Sequence, residues 1–222
     1  MGVEGRRSSK LEDPGAELLD RVAGFWTQWG RIAAIALGVV AVVSAVAYFS
    51  VRARAAQEEQ AAGKLSEANL LFWQGDYARS LQMSKQVSEQ FGSTRSGNDA
   101  HRLAGDDAFW SGDFKTSITE YGKYLEHEKH GLLADAARRS LAYALDSDGQ
   151  FAKAAPTYDG LVGVFDRESS ADMLMAAARC YRRASQPAEA AKRLQRLLDE
   201  FGETSPVLLA REELAGLEST PR

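Results

Sequence analysis

Two short stretches decide the fold: LFWQGDY at residues 71–77 and AFWSGDF at residues 108–114. Each places a Phe-Trp pair shortly before a Gly-Asp-aromatic turn, and the second stretch follows the first by 37 residues. Extending the comparison along the chain aligns four turn residues at spacings of 37, 37 and 36, namely Gly75, Gly112, Gly149 and Ser185. A fixed period of this length indicates that one supersecondary unit is repeated along the chain.

Small residues flank each of these turns. They stand seven residues before the turn residue and five residues after it, at Ala68, Gly105, Ala142, Ala178, Ser80, Ser117, Ala154 and Ala190. Small side chains on both sides of a turn allow two antiparallel helices to approach closely, and glycine relieves the backbone where the first helix ends. Since one helical hairpin cannot bury its apolar surface alone, we expect neighbouring hairpins to stack into an α-solenoid.

Aromatic residues follow most turns at two fixed distances. Two positions after the turn stand Tyr77, Phe114, Phe151 and Pro187, and sixteen positions after it stand Phe91, Glu128, Phe165 and Phe201. Between these points apolar residues recur at three- and four-residue steps, which is typical of amphipathic helices and not of strands. The predicted fold class is therefore all-α.

These features resemble those of the tetratricopeptide repeat (TPR) family, in which small residues flank a Gly-Asp-aromatic turn. The resemblance covers about residues 60–205, within a predicted repeat domain at 55–222, and its repeats are placed at about 60–94, 97–131, 132–168 and 169–204, with a capping helix at 206–217. The chain departs from the family in its longer period, in the Ser-Gln-Pro sequence of the fourth turn, and in the missing closing proline. The resemblance implies about four TPR-like hairpins.

A separate apolar segment precedes the repeats. Residues 32–51 contain no charged side chain, and a helix of this length spans the hydrocarbon core of a bilayer. We therefore predict a transmembrane anchor at residues 31–52, with a cleaved signal peptide or a buried core helix as the alternatives. Residues 16–30 carry Leu18, Val22, Phe25 and Trp29 at helical spacing, which predicts an amphipathic interfacial helix. The polar residues 1–15 are predicted to be disordered.

Charge is unevenly distributed over the 222 residues, of which 45% are hydrophobic. Residues 1–54 hold seven Lys or Arg and five Asp or Glu, a balance of +2, and the remaining 20 basic and 26 acidic residues give −6. An acidic repeat domain argues against a nucleic-acid partner, because phosphate binding needs clustered Lys and Arg. Five positive residues lie on the N-terminal side of the apolar segment, of which only Arg21 and Arg31 are close to it, and three lie near its other end, which favours a cytoplasmic N-terminus by a narrow margin.

The order of tail, anchor and repeat domain resembles the YfgM-like family of ancillary SecYEG translocon subunits, and the Phe-Gly closings resemble CpoB-type TPR domain proteins. The first resemblance implies a periplasmic repeat domain beside the translocon and periplasmic chaperones. The expected function is a bacterial inner-membrane scaffold for protein–protein interactions. A membrane-tethered cytoplasmic adaptor is the alternative, motivated by Arg52 and Arg54, and self-association through the anchor or the capping helix would give a homo-oligomer.

No catalytic, cofactor-binding or metal-binding constellation stands out. His127 and His130 have no evident third ligand, and the one cysteine, Cys180, is interpreted as a buried structural thiol. The paired acids Asp106 and Asp107 have no partner for general acid–base chemistry, and we expect them on a solvated face or in a groove. An enzyme using Cys180 or the two histidines is the third hypothesis.

A concave binding groove is the predicted site. In this type of solenoid the first helix of each hairpin lines the concave face, which places there Phe72, Trp73, Arg102, Asp106, Phe109, Trp110, Arg139, Tyr143, Arg179, Arg182 and Arg183. The groove would run from aromatic to basic and suit a peptide with one apolar and one acidic end. The alternatives are that the aromatic residues pack between hairpins and that the arginines form a solvated face.

Overall fold

A computed structural model describes residues 14–219, and every regular element in that range is a helix. The helices are α1 (Pro14–Trp73), α2 (Tyr77–Gln90), α3 (Arg95–Trp110), α4 (Phe114–His127), α5 (Leu132–Ser147), α6 (Phe151–Asp159), α7 (Arg167–Arg183), α8 (Pro187–Glu200) and α9 (Val207–Ser219). The predicted all-α class is confirmed.

The chain divides into two compact units, and the boundary between them falls at Ala55–Ala56, inside α1. In the first unit α1 has no break between the expected interfacial helix at 16–30 and the apolar segment at 31–52. The apolar part has a mean hydropathy of 2.5 and is not buried, so this helix is long and apolar enough to cross a membrane. The predicted disordered tail lies outside the described residues, except that 14 and 15 already belong to α1.

The second unit is a succession of helical hairpins in which each helix packs against its neighbour in sequence. The end of α1 pairs with α2, as the Ser80–Ala68 hydrogen bond and the shared burial of Ala61 and Val87 show, and the later hairpins are α3 with α4, α5 with α6, and α7 with α8. Helix α9 packs against α8 and contributes the buried Val207 and Ala210 to the core. The predicted solenoid of hairpins with a C-terminal capping helix is therefore what the chain forms.

The four turns share one backbone conformation. Each turn residue lies in the left-handed region, with φ of 80°, 79°, 77° and 59° at Gly75, Gly112, Gly149 and Ser185. At each turn the next N–H reaches back five residues to a carbonyl, as Asp76 does to Leu71 at 3.0 Å, which closes the first helix. Ser185 adopts the conformation that glycine favours, so its side chain adds strain that the other three turns avoid.

The aspartate of each Gly-Asp-aromatic turn begins the second helix of its hairpin. Asp76 accepts a hydrogen bond from the backbone N–H of Arg79 at 3.2 Å, and Asp113 accepts one from Thr116 at 3.1 Å. These contacts are side-chain N-caps, which satisfy donors that the first helical turn leaves free. The motif therefore ends one helix with glycine and begins the next with aspartate.

The small residues around the turns are buried where the paired helices approach. All eight are buried, and Ser80 Oγ donates to Ala68 O across the first hairpin at 2.9 Å. At Gly105 an added Cβ would lie 2.8 Å from the ring of Tyr121, which is itself buried. The small residues are thus required by the spacing between the two helices.

The apolar core is unequal along the solenoid. Its largest cluster lies in the last two hairpins and the cap, where Leu174, Leu194 and Leu197 are almost fully buried. The first two hairpins hold smaller clusters, one around Val87 and one around Tyr121 and Tyr124. We infer that the C-terminal half supplies most of the hydrophobic stabilisation.

Asp107 corrects the expectation that the two acids of α3 lie on a solvated face. Its side chain is fully buried against α2, where Oδ2 lies 2.9 Å from Ser80 Oγ, while Oδ1 has no hydrogen-bond partner among the described residues. Burial, aided by neighbouring Asp106, raises the pKa of the Asp107 carboxyl to about 7. The hydroxyl of Ser80 has one proton, which it can donate to Ala68 O. A protonated Asp107 can then donate its own proton to Ser80 Oγ, so the protonated carboxyl fits this arrangement best.

Replacing Asp107 by asparagine should change how stability depends on pH. In the folded state the carboxyl holds its proton up to about pH 7, whereas in the unfolded chain its pKa is the ordinary 3.8 of an aspartate. The free energy of unfolding should therefore fall between those two pH values, by at most about 1.4 kcal/mol per pH unit. Asp107→Asn removes the buried charge and should flatten this fall.

The measurement is urea unfolding of the full chain in detergent, followed by circular dichroism at several pH values. At pH 8 the Asp107→Asn variant should be more stable than the original chain by at least about 1 kcal/mol. Glu203→Gln, a change at an exposed position, is the control and should leave the profile unaltered. Parallel profiles for the Asp107 variant and the original chain would contradict the assignment.

Candidate interaction surface

The Phe-Trp pairs of the first two hairpins belong to one connected set of six aromatic rings. Within the first hairpin Phe72 contacts both Trp73 and Tyr77, with ring centroids 5.4 and 5.5 Å apart. Within the second hairpin Phe109 contacts both Trp110 and Phe114, at 6.0 and 5.6 Å. Tyr77 and Trp110 join the two groups, with centroids 6.3 Å apart and ring planes within 19° of parallel. The surface therefore crosses the boundary between hairpins.

The Tyr77–Trp110 contact follows a rule that recurs later in the chain. The residue two positions before a turn lies against the residue two positions after the preceding turn. In the fourth hairpin Arg183 occupies the first of these positions, and its guanidinium lies 4.8 Å from the ring centroid of Phe151. The third hairpin has Ser147 at this position, which is too short to cover Phe114. Trp110 is therefore partly a packing residue.

Trp73 differs from Trp110 because no hairpin precedes it in the repeat domain. Its side chain is 81% exposed, against 62% for Trp110. The only ring it contacts among the described residues is Phe72, edge-on. Of the two tryptophans, Trp73 is the one that the fold requires less.

The phenylalanines of the pairs are half-buried. Each packs edge-on against the aromatic residue that begins the second helix of its own hairpin, Phe72 against Tyr77 and Phe109 against Phe114. Such edge-to-face pairs stabilise a fold beyond the area that they bury. These contacts support a packing role for Phe72 and Phe109.

Arg102 and Asp106 form an ion pair on the second hairpin. Arg102 donates to Asp106 Oδ2 at 3.1 Å, and the hydroxyl of Tyr121 donates to Asp106 Oδ1 at 2.5 Å. Burial raises the pKa of the Asp106 carboxyl, and the bond from Tyr121 opposes that shift. Both side chains remain partly exposed, so they offer one polar position beside the aromatic residues.

Arg139 and Tyr143 lie on α5 and differ in availability. The guanidinium of Arg139 lies 4.8 Å from the ring centroid of Phe165, the aromatic residue that closes the third hairpin. Lys64 and Arg167 lie similarly over Phe91 and Phe201, so a cation over the closing aromatic residue is a recurring packing contact. Tyr143 is 41% exposed and is available to a partner.

The three arginines of α7 are not equivalent. Arg182 pairs with Glu213 of α9 at 3.6 Å, and Arg183 pairs with Asp146 of α5 at 3.5 Å. Arg179 is exposed and forms no salt bridge or hydrogen bond with the described residues. The basic end of the predicted groove is therefore more internally paired than its sequence indicates, and Arg179 is its most available cation.

Sequence reasoning missed the residues that complete these contacts. The spacing of Tyr77, Phe114 and Phe151 after the turns by itself predicts no partners for them, and no sequence pattern connects Asp146 or Glu213 to the arginines. The Tyr77–Trp110 and Phe151–Arg183 pairs could have been predicted from the sequence. In each pair one residue lies two positions after a turn and the other lies two positions before the next turn. The pairing of Arg182 with the cap could not have been found, because it depends on where α9 docks.

The residues considered for catalysis lie apart from this surface. Cys180 is fully buried, and burial, with Asp146 adding, raises the pKa of its thiol to about 12, so it is a poor nucleophile. His127 ends α4 and His130 follows it, both exposed. Within residues 14–219 no group of three or more His, Cys, Asp or Glu side chains is arranged to hold a metal ion.

Comparison with known proteins places the fold. No protein-family model matches the chain. No curated protein matches it either. A crystal structure of a Podosopora anserina protein, described as a kinesin light chain with nearly identical TPR-like repeats, matches with a TM-score of 0.56 at 16% identity, over 72% of this chain and 86% of that one. The MamA RS-1 ArsTM double mutant matches with a TM-score of 0.55 at 15% identity, over 71% and 82%. The repeat domain therefore has a TPR-like fold.

Alanine substitutions should separate the two tryptophans by their effect on stability. Trp110→Ala removes the stacked contact with Tyr77 and should lower the free energy of unfolding by about 1–2 kcal/mol. Trp73→Ala removes a largely solvated side chain and should cost less than about 0.5 kcal/mol. Urea unfolding of the full chain in detergent measures both values. Equal losses of stability in the two variants would show that the contact between Trp110 and Tyr77 does not stabilise the fold.

Proposed function

We propose that this protein is a membrane-anchored TPR-like scaffold that binds protein partners and does not catalyse a reaction. One observation carries the proposal, the succession of an exposed apolar helix and a TPR-like solenoid whose surface displays large aromatic side chains. Exposed apolar residues grouped on one surface are typical of interaction sites. The TPR-like fold supports protein partners in general.

The proposed location is the bacterial inner membrane, with residues 31–52 as the anchor and the N-terminus in the cytoplasm. The repeat domain would then lie in the periplasm, close to protein export or envelope assembly. The resemblance of the domain order to the YfgM-like family supports this placement, as does the small excess of positive charge before the apolar segment. Translocon components or periplasmic chaperones are the proposed partners.

The proposed binding groove uses the first helices of the hairpins. Beside the exposed tryptophans, Tyr143 and Arg179 are available to a partner, because both are exposed and Arg179 has no internal salt bridge. An extended or helical peptide with an apolar end and an acidic end would match the order of aromatic and basic residues along the groove. The other arginines of the groove would exchange an internal contact for a contact with the peptide.

A second candidate is a cytoplasmic adaptor tethered in the reverse orientation. Arg52 and Arg54 directly follow the apolar segment, and positive residues close to a membrane-spanning helix favour the cytoplasmic side. In this arrangement the repeat domain has the same fold and groove but meets cytoplasmic proteins. The two candidates differ only in topology.

Protease treatment of spheroplasts decides between these orientations. We expect the repeat domain, detected through a tag after Arg222, to be degraded when protease is added to intact spheroplasts. A known cytoplasmic protein, probed in the same samples, should remain intact and reports on leakage. Protection of the tagged domain until the membrane is permeabilised would overturn the periplasmic placement and favour the adaptor.

Charge reversal in the groove tests partner binding. Arg179→Glu should reduce recovery of crosslinked partner at least tenfold in a membrane pull-down through the tagged domain, because it places an acid opposite the acidic end of the peptide. Arg211→Glu makes the same change at an exposed position of α9, outside the groove, and should leave recovery unchanged. Equal recovery with both variants would contradict the groove.

A further inference from the structure

The outer face of the first repeat helix, residues 56–73 of α1, occupies a position that is buried in every later hairpin. Five residues before the turn, Asp107, Ala144 and Cys180 are each 0% exposed, because they pack against the preceding hairpin. The equivalent residue of the first hairpin is Leu70, which is 58% exposed. An apolar side chain thus stands where the fold elsewhere forms its inter-hairpin contact.

The neighbouring positions of this face follow the same pattern. Twelve residues before the turn, Ala100, Ala137 and Met173 are buried at 0–3%, whereas their equivalent Gly63 is exposed. Two residues before the turn, Trp110 covers Tyr77, whereas Trp73 is 81% exposed. Gly63, Leu70 and Trp73 therefore form an open copy of the inter-hairpin interface.

The chain itself shows what fits this face. At the first inter-hairpin interface α2 presents Tyr77 to Trp110, and it presents Ser80 and Ser84 to Asp107. Trp73 and Leu70 are the equivalents of Trp110 and Asp107 in the first hairpin. The same contacts at the first hairpin would therefore need an aromatic residue over Trp73 and small residues beside Leu70. The matching occupant is a helix with an aromatic residue at position i and small residues at i+3 and i+7.

The charge of the face adds a further requirement. Val87 of α2 belongs to the same buried cluster as Ala100, whose equivalent in the first hairpin is Gly63. Glu59 and Glu67 lie one helical turn to either side of Gly63, and both are exposed. A basic residue at i+10 of the occupant, where α2 has Val87, would lie between these two carboxylates.

A second copy of the chain does not supply this occupant from its described residues. Among the second helices of the hairpins only α2 carries the pattern, at Tyr77, Ser80 and Ser84, and these side chains already contact Trp110 and Asp107 of α3. The occupant must therefore come from another protein.

We propose that the outer face of α1, defined by Gly63, Glu67, Leu70 and Trp73, docks an amphipathic helix of a different protein. That helix carries an aromatic residue at i, small residues at i+3 and i+7, and a basic residue at i+10. It extends the solenoid by one helix at its N-terminal edge. This surface shares Trp73 with the predicted groove, but its other residues lie outside the groove, and it does not depend on the orientation of the anchor.

A synthetic helix made to this specification is the probe. It has the sequence of residues 76–91, with Ser80→Ala, Ser84→Ala and Val87→Lys, a fluorescent label, and a hydrocarbon staple on its opposite side. Fluorescence anisotropy with the full chain in detergent micelles should show saturable binding. Leu70→Asp should weaken binding at least tenfold, and restoring Val87 in the probe should weaken it severalfold and reduce its dependence on salt.

Leu208→Asp is the matched control, because Leu208 is a 79% exposed leucine at the opposite end of the repeat domain. It should change the affinity by less than twofold. Thermal unfolding of the Leu70→Asp variant should match that of the original chain, since Leu70 is exposed.

Three outcomes would overturn the proposal. One is the absence of saturable binding, and another is equal binding to the Leu70→Asp variant. The third is a dimer of the full chain in sedimentation equilibrium that Leu70→Asp converts to a monomer, since the face would then pair two copies of this chain.

Discussion

The left-handed residue at each turn is the constraint on which the rest of the structure depends. Gly75, Gly112, Gly149 and Ser185 reverse the chain in the same conformation, and the second helix begins two residues later. Because the four turns are alike, equivalent positions of the two helices face each other in every hairpin. In the second, third and fourth hairpins the residue five positions before the turn is therefore buried, and in the second and fourth the residue two positions before the turn contacts the start of the preceding second helix.

The buried position five residues before the turn holds a different type of side chain in each of the later hairpins. Between the first two hairpins it holds a buried carboxyl, Asp107, hydrogen-bonded to serines. Toward the C-terminus the same position holds Ala144 and then Cys180, which lies inside the largest apolar cluster. Burial without an opposite charge favours the protonated form of the Asp107 carboxyl, whereas apolar contacts do not titrate. The interface between the first two hairpins therefore contains a titratable group, Asp107, at the position where the later interfaces hold Ala144 and Cys180.

The sequence was sufficient for the fold and only partly sufficient for the surface. Turn spacing and the small residues beside the turns predict the hairpins, because those positions depend on contacts close in sequence. Asp107 could not be placed, since its burial depends on serines of another hairpin, 27 and 23 residues away. The sequence also could not show which arginines of the groove are free to bind a partner, because Arg139 and Arg183 lie over aromatic rings from neighbouring elements.

The two ends of the solenoid differ in a way that bears on the repeated Phe-Trp pair. A terminal repeat normally presents a polar outer face, since nothing covers it. At the C-terminal end, α9 covers α8. At the N-terminal end, Gly63 and Glu67 meet the expectation of a polar cap, but Leu70 and Trp73 do not. Trp110 has a packing role because Tyr77 precedes it, and Trp73 has the same neighbours in its own hairpin but no such partner. A large aromatic side chain kept where the fold gives it no stacking partner is better explained by a contact with another molecule than by packing within this one.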